Sequence, residues 1–275
     1  MLQATAGAER GTGPRSVNIA AMCTRYISPD AAAIERHWHV GRDDAWRGDE
    51  LFPRSRGAFI RAARHSSSPE RELVVGQWGL VPWFAKSSRL TFATVNARFE
   101  DVAGKPSFKD AWHDGRRCLI PAWSFDEPNW ESGRNVWWRF RRADAAPWGL
   151  AGLWNTWIDA DTGAELESYT MLTVNADDHP LMRRMHKPEP RLPADRQDKR
   201  SVVAIELEDV DHWLHAPPAE AARLVMPPAA GLFDAGPTSP PSDRAPAVRD
   251  QRNVLDHRRQ AIAAPAQPQQ EDLFR

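Results

Sequence analysis

The amino-acid sequence predicts an α+β fold, a single domain built on a curved, barrel-like mixed β-sheet that is flanked by helices. Between Glu72 and about Ala204, short runs of β-branched and aromatic residues alternate with turn residues, which is typical of a sheet of many short strands. The chain has 275 residues, of which 41% are hydrophobic. This length and composition allow one good-sized core together with tails.

A helix is predicted before the strands and another after them. Ser28 is a suitable N-cap, Pro29 fits a first helical turn and Asp30 adds an acidic residue there, so a helix is expected through about His39. The predicted strand segments are LVVGQWGLVPW, RRCLIPAWSF, NVWWRFRRA, PWGLAGLWNTWI, YTMLTVNA and SVVAIEL. The segment DVDHWLHAPPAEAARLV is expected to form a helix that closes the domain.

Composition divides the chain into three parts. Residues 1–21 are rich in Ala, Gly, Ser and Thr, and we interpret them as a disordered leader or as residues upstream of the true start. Residues 22–227 form the predicted domain. Residues 228–275 are rich in Pro, Ala and Gln and are expected to be a disordered tail.

Net charge, cysteine content and hydrophobicity argue against several classes of protein. A formal net charge of −1 argues against a generally basic nucleic-acid coat, so any nucleic-acid site should be local. The two cysteines lie far apart in sequence, which favours a reduced, cytoplasmic setting over a disulfide scaffold. No apolar run reaches the length of about 20 residues that crosses a bilayer, so no membrane association is expected.

No metal or cofactor is predicted. His37 and His39 have a spacing that suits metal binding only in a strand, whereas the preceding signals favour a helix. The sequence has no evident phosphate-cradling glycine loop or serine-hydrolase elbow. Cys118 lies in the apolar segment RCLIPAW, where we interpret it as core packing.

Cys23 lies in the segment Met22-Cys23-Thr24-Arg25-Tyr26. If it became the first residue of the chain, it would carry an α-amine with a pKa of about 8 next to a thiol with a pKa of about 8.5. The amine can form a Schiff base with an aldehyde, and the thiol can then close a thiazolidine ring. An internal cysteine cannot do so, and a lone cysteine is usually a small buried hydrophobic residue.

Six motifs occur in an order that resembles the SRAP family (SOS response-associated peptidase-like proteins). The family pattern is MCGRY, WGL-I/V-P, NAR-x-E, RCLIPA-x-G-F-Y-E-W, AGLW and a late histidine before a proline-containing run. The matching segments are MCTRY at 22–26, WGLVP at 78–82, NARFE at 96–100, RCLIPAWSFDE at 117–127, AGLW at 151–154 and MHKPEP at 185–190.

The resemblance implies a single SRAP-like domain that senses and shields abasic sites in single-stranded DNA. In this family a terminal cysteine crosslinks to the ring-opened sugar aldehyde, and Cys23 takes that place. By position, Asn96, Glu127 and His186 correspond to the other catalytic residues. We expect Glu127 to handle the amine proton and His186 to protonate the sugar oxygen, because a carboxylate and an imidazole can both transfer protons. Asn96 can orient the cysteine or the sugar without adding charge.

The predicted DNA-binding residues are Arg25, Trp78, Arg98 and Arg117. Arginine offers a planar fork that suits phosphate oxygens. The tryptophans of WGLVPW are interpreted mainly as core packing, and one of them, Trp78 or Trp83, is a candidate for stacking on a base. Basic and aromatic residues also alternate in residues 134–142, which suits a single-strand groove. The alternative for that run is a strand with one solvated face.

Three departures from the family pattern stand out. Thr24 replaces the glycine that follows the cysteine, and the run after His186 begins Lys187-Pro188. Asp126-Glu127-Pro128 replaces the aromatic pair around the glutamate, so a base-stacking tryptophan is missing there and a second carboxylate lies beside Glu127. That carboxylate would raise the pKa of Glu127 if both side chains faced inward.

The tail and the residues before Cys23 raise two further points. Gln270, Leu273 and Phe274 belong to a segment that resembles the binding pentapeptide of the bacterial sliding clamp, and a disordered tail suits such docking. The residues before Cys23 would leave its nitrogen acylated, so we expect the working protein to begin at Met22 or to be cut there. The expected protein is a nucleoid-associated monomer whose main partner is single-stranded DNA with abasic sites.

Three functions stay open at this point. The first is a crosslinker of abasic sites, with strand-cleaving lyase and self-cleaving peptidase activity as additions. The second is a cysteine peptidase limited to self-processing, in which Cys23 and His186 form a thiolate pair. The third is a noncatalytic module that holds single-stranded DNA in a basic and aromatic groove.

Overall fold

Two β-sheets organise the described residues, which are 23–41, 46–64 and 70–240 of a computed structural model. The strands are β1 (Tyr26–Ser28), β2 (Asp49–Leu51), β3 (Arg56–Ala62), β4 (Arg71–Trp78), β5 (Asn96–Arg98), β6 (Arg117–Ala122), β7 (Ser124–Asn129), β8 (Val136–Arg142), β9 (Trp148–Ile158), β10 (Glu165–Asn175), β11 (Arg200–Val202) and β12 (Phe233–Pro237). The α-helices are α1 (Ala31–Trp38), α2 (Phe99–Val102), α3 (Lys109–His113), α4 (Val210–His215) and α5 (Pro218–Ala221).

A closed barrel of five strands forms the larger sheet. Around the barrel the order is β3, β4, β10, β9 and β6, and β6 pairs back with β3. β10 runs parallel to β4, whereas the other four pairings are antiparallel. At the carboxyl end of β10, β5 adds a parallel pairing and β11 an antiparallel one. The predicted α+β fold with a barrel-like mixed sheet is confirmed.

The second sheet is antiparallel and carries two of the predicted site residues. Its strand order is β12, β8, β7, β1 and β2. β1 follows directly on Cys23, and β7 contains Glu127. Because Tyr26 lies opposite Phe125 in this sheet, the residues just before β1 lie beside the middle of β7.

Side chains along the barrel strands point alternately to two faces, and each face contributes to a separate hydrophobic cluster. On β3, Ala58 and Ile60 join a cluster that includes Trp38 and Trp213 from the helices. Phe59, between them, joins the cluster that faces the second sheet. Successive side chains of a strand point to opposite faces, so the barrel wall packs on helices on one side and on the second sheet on the other.

Both predicted helices differ from the structure at their ends. α1 begins at Ala31, and Asp30 is its N-cap, since its carboxylate accepts a hydrogen bond from the Ala33 N–H at 2.8 Å. Ser28, the predicted cap, instead belongs to β1. The closing helix is interrupted between α4 and α5, because the Pro217-Pro218 pair lacks the N–H groups that would continue it.

The structured region extends beyond residue 227, which corrects the predicted start of the tail. β12 pairs with β8 over five residues. Phe233 packs its ring against Phe140 and Trp148, with ring centroids 5.7 and 5.2 Å apart. A segment rich in proline therefore still contributes a strand, because one aromatic side chain anchors it to the core.

Two predictions fall on parts of the chain outside the described residues. These are the leader, residues 1–21, and the clamp motif with Gln270, Leu273 and Phe274. Within the described ranges, no helix combines the length and apolar character needed to cross a membrane. The same ranges contain no group of three or more His, Cys, Asp or Glu side chains arranged to hold a metal ion.

Candidate active site

Cys23 lies immediately before the second sheet, at a point where three other predicted site residues converge. Its side chain is fully buried. Its backbone N–H donates to the Glu127 carboxylate, and its carbonyl accepts a hydrogen bond from the Asn96 amide nitrogen at 2.9 Å. The nitrogen and the carbonyl of one residue are therefore held from two sides, by β7 and by β5.

Glu127 is a buried carboxylate that links Cys23 to His186. Its Oε2 lies 3.0 Å from His186 Nε2, and only 2% of the side chain is exposed. Burial raises the pKa of Glu127 above its usual value, and the charge of Asp126 adds to the rise, whereas His186 and the Cys23 N–H lower it. A carboxylate with a raised pKa is suited to exchange protons with an amine.

The backbone around His186 holds its imidazole against Glu127. His186 adopts a left-handed conformation with φ of 62°, and its N–H donates to the Pro128 carbonyl at 2.7 Å. The Lys199 ammonium donates to the carbonyls of Met185 and His186, both at 2.6 Å. These bonds stabilise a conformation that is uncommon outside glycine. The second imidazole nitrogen, Nδ1, is buried and has no hydrogen-bond partner.

The Cys23 thiol is not activated as it would be in a cysteine peptidase. Burial, and after it the Glu127 carboxylate, raise the pKa of the thiol well above its ordinary value. Its hydrogen-bond partner is the Arg25 carbonyl at 3.6 Å, and His186 faces Glu127 instead. A thiolate nucleophile needs a nearby positive charge that lowers the pKa of the thiol, so the predicted Cys23–His186 thiolate pair is not formed in this arrangement.

Asn96 begins β5, the strand that pairs in parallel with β10 of the barrel. While its amide nitrogen holds Cys23, its carbonyl oxygen Oδ1 is buried without a hydrogen-bond partner. Buried polar atoms are normally satisfied. An open acceptor beside the reactive residue can therefore receive a hydroxyl or amine of a ligand.

Arg98 is the predicted DNA-binding residue that remains partly accessible. It lies two residues after Asn96, and 39% of its side chain is exposed. Its guanidinium forms an ion pair with Asp198 at 2.6 Å. Arg200 binds the same carboxylate at 3.2 Å. A phosphate that approached Arg98 would compete with Asp198.

Trp78 and Arg117 are structural residues, and this corrects their predicted role in DNA binding. Trp78 is fully buried, and its indole N–H donates to the Val95 carbonyl at 2.9 Å. Arg117 is 2% exposed. It donates to the carbonyls of Trp213 and Ala216 and so fixes the end of α4. Neither side chain can reach a base or a phosphate from the interior.

Arg25 is likewise bound inside the protein. It contacts Asp126 at 3.0 Å, donates to Glu50, and donates to the Ser239 carbonyl at 3.1 Å. In the run 134–142, Arg139 binds Asp126 as well. These arginines stabilise the second sheet, so a direct role in phosphate binding is corrected for Arg25.

An exposed aromatic group that the sequence only partly indicated lies on the connection between β4 and β5. Trp83 is 68% exposed, and Phe84 and Phe92 are each 44% exposed. Trp83 had been one of two alternatives for base stacking, whereas Phe84 and Phe92 were missed. The available signal was the mixture of aromatic residues with Lys86 and Arg89 in a segment that has no helical or strand periodicity.

The comparison with protein families decides the identity of the fold. The family described as SOS response associated peptidase (SRAP) matches residues 22–240. The chain belongs to the SRAP family. The match begins one residue before Cys23 and ends just beyond β12, so this SRAP domain includes all the described strands and helices.

Similar proteins support the same relationship. Abasic site processing protein HMCES from Xenopus tropicalis is 26% identical over 219 residues, which are 70% of this chain and 62% of the relative. Abasic site processing protein YoaM from Bacillus subtilis (strain 168) is 29% identical over 124 residues, which are 45% of this chain and 53% of the relative. The SRAP chain therefore matches less than two thirds of the length of either relative.

Two crystal structures share the SRAP fold seen here. A protein from Bordetella bronchiseptica is 35% identical, with a TM-score of 0.68, and the match covers 79% of this chain and 100% of that one. A protein from Bacteroides thetaiotaomicron is 23% identical, with a TM-score of 0.61, and the match covers 79% of this chain and 92% of that one. The second likeness concerns the fold alone.

A cavity of about 670 Å³ opens beside His186 of the SRAP domain. Its walls include Trp130, Arg183 and Leu192. Gln197 donates to three carbonyls of the loop that follows His186, which gives that wall a defined shape. The cavity provides open space next to His186, the one of the four converging residues that lines it.

Proposed function

We propose that this SRAP protein binds abasic sites in single-stranded DNA and crosslinks to their ring-opened aldehyde through Cys23. The single observation that carries the proposal is the convergence of site residues at Cys23: Asn96 donates to its carbonyl at 2.9 Å, and the buried Glu127 carboxylate, 3.0 Å from His186, interacts with its backbone N–H. In a chain that begins at Cys23, this nitrogen is the α-amine. The relatives named as abasic site processing proteins supply the substrate class.

The reaction would proceed in three steps without a change of oxidation state. The amine nitrogen attacks the aldehyde carbon, and Glu127 takes a proton from that nitrogen. His186 donates a proton to the departing hydroxyl, so that water leaves and a Schiff base forms. The thiol sulfur then bonds to the imine carbon, and its proton passes to the nitrogen. The product is a thiazolidine, formed with the loss of one water molecule.

The residues around Cys23 suit these steps. Asn96 holds the Cys23 carbonyl and leaves its own Oδ1 open for the sugar. Because the thiol has a raised pKa, it stays protonated until the imine is formed, and the Glu127 carboxylate can then relay the thiol proton to the imine nitrogen. One buried base thus serves both nucleophiles of the same residue.

The DNA strand is proposed to run across the connection between β4 and β5. Arg98 can bind a phosphate when it leaves Asp198, and Trp83, with Phe84 and Phe92 near it in sequence, can stack on bases. This connection ends at Asn96, which contacts Cys23. A strand that stacks on the exposed rings would therefore lead towards the reactive residue.

A second candidate function is self-processing of the peptide bond before Cys23. The nitrogen bonded to Glu127 is also the leaving nitrogen of that peptide bond. The thiol could attack the preceding carbonyl carbon, the carbon–nitrogen bond would break, and Glu127 would return a proton to the new amine. Water would then hydrolyse the thioester. A general cysteine peptidase is less well supported, because the thiol has no imidazole partner.

The test uses protein that begins at Cys23 and single-stranded DNA from which one uracil has been excised. A heat-resistant band on a denaturing gel is expected, with an intact mass equal to protein plus DNA minus one water. Cys23→Ala should abolish the band. Cys23→Ser keeps the amine but lacks the thiol, so its adduct should persist only after borohydride reduction. Cys118→Ala, at the other buried cysteine, is the matched control.

Other results would favour the alternatives. DNA retention under native conditions alone, with no covalent product from folded protein, supports a noncatalytic binding module and contradicts crosslinking. Self-processing predicts that the full chain loses residues 1–22 on incubation, as seen by intact mass. That loss should be prevented by Cys23→Ala and slowed by Glu127→Gln.

A further inference from the structure

Four charged side chains form a row across the second sheet, three of them on β2, β7 and β8 and one, Arg25, immediately before β1. In order they are Glu50, Arg25, Asp126 and Arg139, so the charges alternate in sign. Arg25 Nη1 lies 3.0 Å from Asp126 Oδ2, and Arg139 binds both oxygens of that carboxylate, at 2.8 and 3.0 Å. Arg25 also donates to Glu50. We call these residues the charge row.

The centre of the charge row is removed from solvent. The Asp126 side chain is 1% exposed, and those of Arg25 and Arg139 are 10% and 15% exposed. A buried carboxylate is tolerated when its oxygens are paired and hydrogen-bonded. Arg139 of β8 and Arg25, immediately before β1, provide those bonds, so Asp126 joins three segments of chain through one carboxylate.

The charge row lies beside the reactive groups but does not contact the proposed substrate. Arg25 is two residues after Cys23, and Asp126 immediately precedes Glu127. The Asp126 N–H donates to the Arg25 carbonyl at 3.0 Å, so backbone and side chain join the same two residues. A slip of one residue between these segments would move Cys23 by about 3.3 Å and exchange the faces of the strand.

We propose that Asp126 is a positioning residue, which acts through Arg25 and Arg139 to fix the Cys23 nitrogen against the Glu127 carboxylate. The inference rests on the proposed crosslinking function. It concerns a departure from the SRAP pattern, which has an aromatic residue at the position of Asp126. The placement of Cys23 against Glu127 depends on how two segments of chain are aligned, and the Arg25–Asp126 ion pair joins those two segments.

The test measures single-turnover crosslinking by protein that begins at Cys23, with saturating uracil-excised single-stranded DNA. Asp126→Asn is expected to lower the rate constant about 10- to 100-fold, because a misplacement of about 1 Å can have an effect of that size. Affinity for undamaged single-stranded DNA should stay unchanged, since Arg98 pairs with Asp198 and Trp83 donates to Asp110, neither of which belongs to the charge row. The final crosslinked fraction should also stay unchanged.

Asp144→Asn is the matched control. Asp144 forms an ion pair with Arg142 of β8 at 2.8 Å, in the same sheet, but its side chain is 52% exposed. The substitution is chemically identical to Asp126→Asn, and it should leave the rate constant at the value of the unsubstituted protein. An equal slowing by both substitutions would overturn the inference, because it would reveal a general loss of sheet stability.

Arg139→Lys provides a second, milder variant. Lysine keeps the charge but cannot bind both oxygens of Asp126 in a planar fork, so an intermediate rate constant is expected. If Asp126→Asn fails to fold, a folded Arg139→Lys protein with an unchanged rate overturns the positioning role, and a slower rate supports it. If the unsubstituted protein forms no crosslink, the proposed function fails and the inference fails with it. An unchanged rate in Asp126→Asn overturns the inference alone.

Discussion

Glu127 contacts both the Cys23 nitrogen and His186, so its protonation state should control the proposed reaction. The base form is the ionised carboxylate, and burial raises the pKa of Glu127. We therefore predict that the crosslinking rate rises with pH across a range above the usual one for a carboxyl group. Glu127→Gln should remove that rise and lower the rate by about 10²- to 10⁴-fold.

Single-turnover rates between pH 4 and pH 9 would check this prediction. Glu131→Gln is a suitable control, because Glu131 is a nearby carboxylate that is paired with Arg184 and half exposed. A Glu127→Gln protein that retains the pH-dependent rise would show that another group is the base.

The same raised pKa predicts that Glu127 reduces stability at neutral pH. The folded state holds the Glu127 proton more tightly than the unfolded state does, so stability is greatest at low pH and falls as pH rises through the raised pKa. Glu127→Gln should therefore increase the free energy of unfolding at pH 8 by about 1.4 kcal/mol for each unit of the rise. Urea unfolding at pH 8 and pH 4 would measure this, with little difference expected at pH 4.

Asp198 is predicted to weaken DNA binding by occupying Arg98. Asp198→Asn removes the competing charge, and asparagine accepts the left-handed conformation of residue 198, where φ is 53°. Affinity for undamaged single-stranded DNA should rise about threefold, as expected for one partly exposed ion pair. Binding isotherms at two salt concentrations would test this, with Asp195→Asn, an exposed acid of the same loop, as the control. Equal affinities for both variants would contradict the prediction.

At the scale of elements, the connection between β4 and β5 carries the exposed rings. Trp83→Ala should weaken binding of single-stranded DNA by about 1–3 kcal/mol, the usual contribution of one stacked base. Ile158→Ala is the control, since Ile158 is an exposed apolar residue on β9 with 60% exposure. Fluorescence anisotropy with an undamaged oligonucleotide would measure both. A loss of similar size in Ile158→Ala would exclude a specific role for the connection.

Several elements could be predicted from sequence because their signals are local. The strands follow runs of β-branched and aromatic residues. The break between α4 and α5 lies at Pro217-Pro218, a local signal that the prediction of one closing helix did not use. The start of α1 was predicted wrongly, with Ser28 as the cap. Ser28 instead pairs with Asp49 in the second sheet, and a local capping signal gives no information about that pairing. β12 was missed for a similar reason, since its stability comes from contacts of Phe233 with distant residues.

In the candidate site too, some features could be predicted from local motifs, whereas others depend on contacts between residues that are distant in sequence. Motifs indicated Cys23, Asn96, Glu127 and His186, and the fold brings the four together. Motif membership did not separate the buried Trp78 from the exposed residues of the next segment, because residue type alone does not determine burial. Which arginines are free for a phosphate likewise depends on partners that are distant in sequence.

At the scale of the whole molecule, the last described strand should be required for stability. β12 pairs with β8, and Phe233 packs on the aromatic cluster around Phe140 and Trp148. A chain that ends at residue 240 should keep the melting temperature of the full chain. A chain that ends at residue 227 should melt markedly lower, and Phe233→Ala should cost about 2–3 kcal/mol because its ring is half-buried. Equal melting temperatures for both truncations would contradict this.

The site draws on both sheets. Glu127 lies on β7 of the second sheet and Cys23 shortly before β1 of that sheet, whereas Asn96 lies on β5 beside the barrel and His186 on the connection between β10 and β11. Catalytic geometry should therefore be lost as soon as the sheets separate. Loss of crosslinking and global unfolding are expected to coincide in denaturant.

The Cys23 side chain is fully buried, and this burial limits which reagents can react with its thiol. Alkylating agents, peroxides and free metabolic aldehydes collide with a thiol from the surrounding water, and a sulfur without a solvent-facing surface seldom meets them. An abasic sugar would reach Cys23 differently, because it is part of a DNA strand that the protein binds. If Cys23 crosslinks as proposed, its burial would preserve the thiol until a DNA strand brings the sugar aldehyde to it.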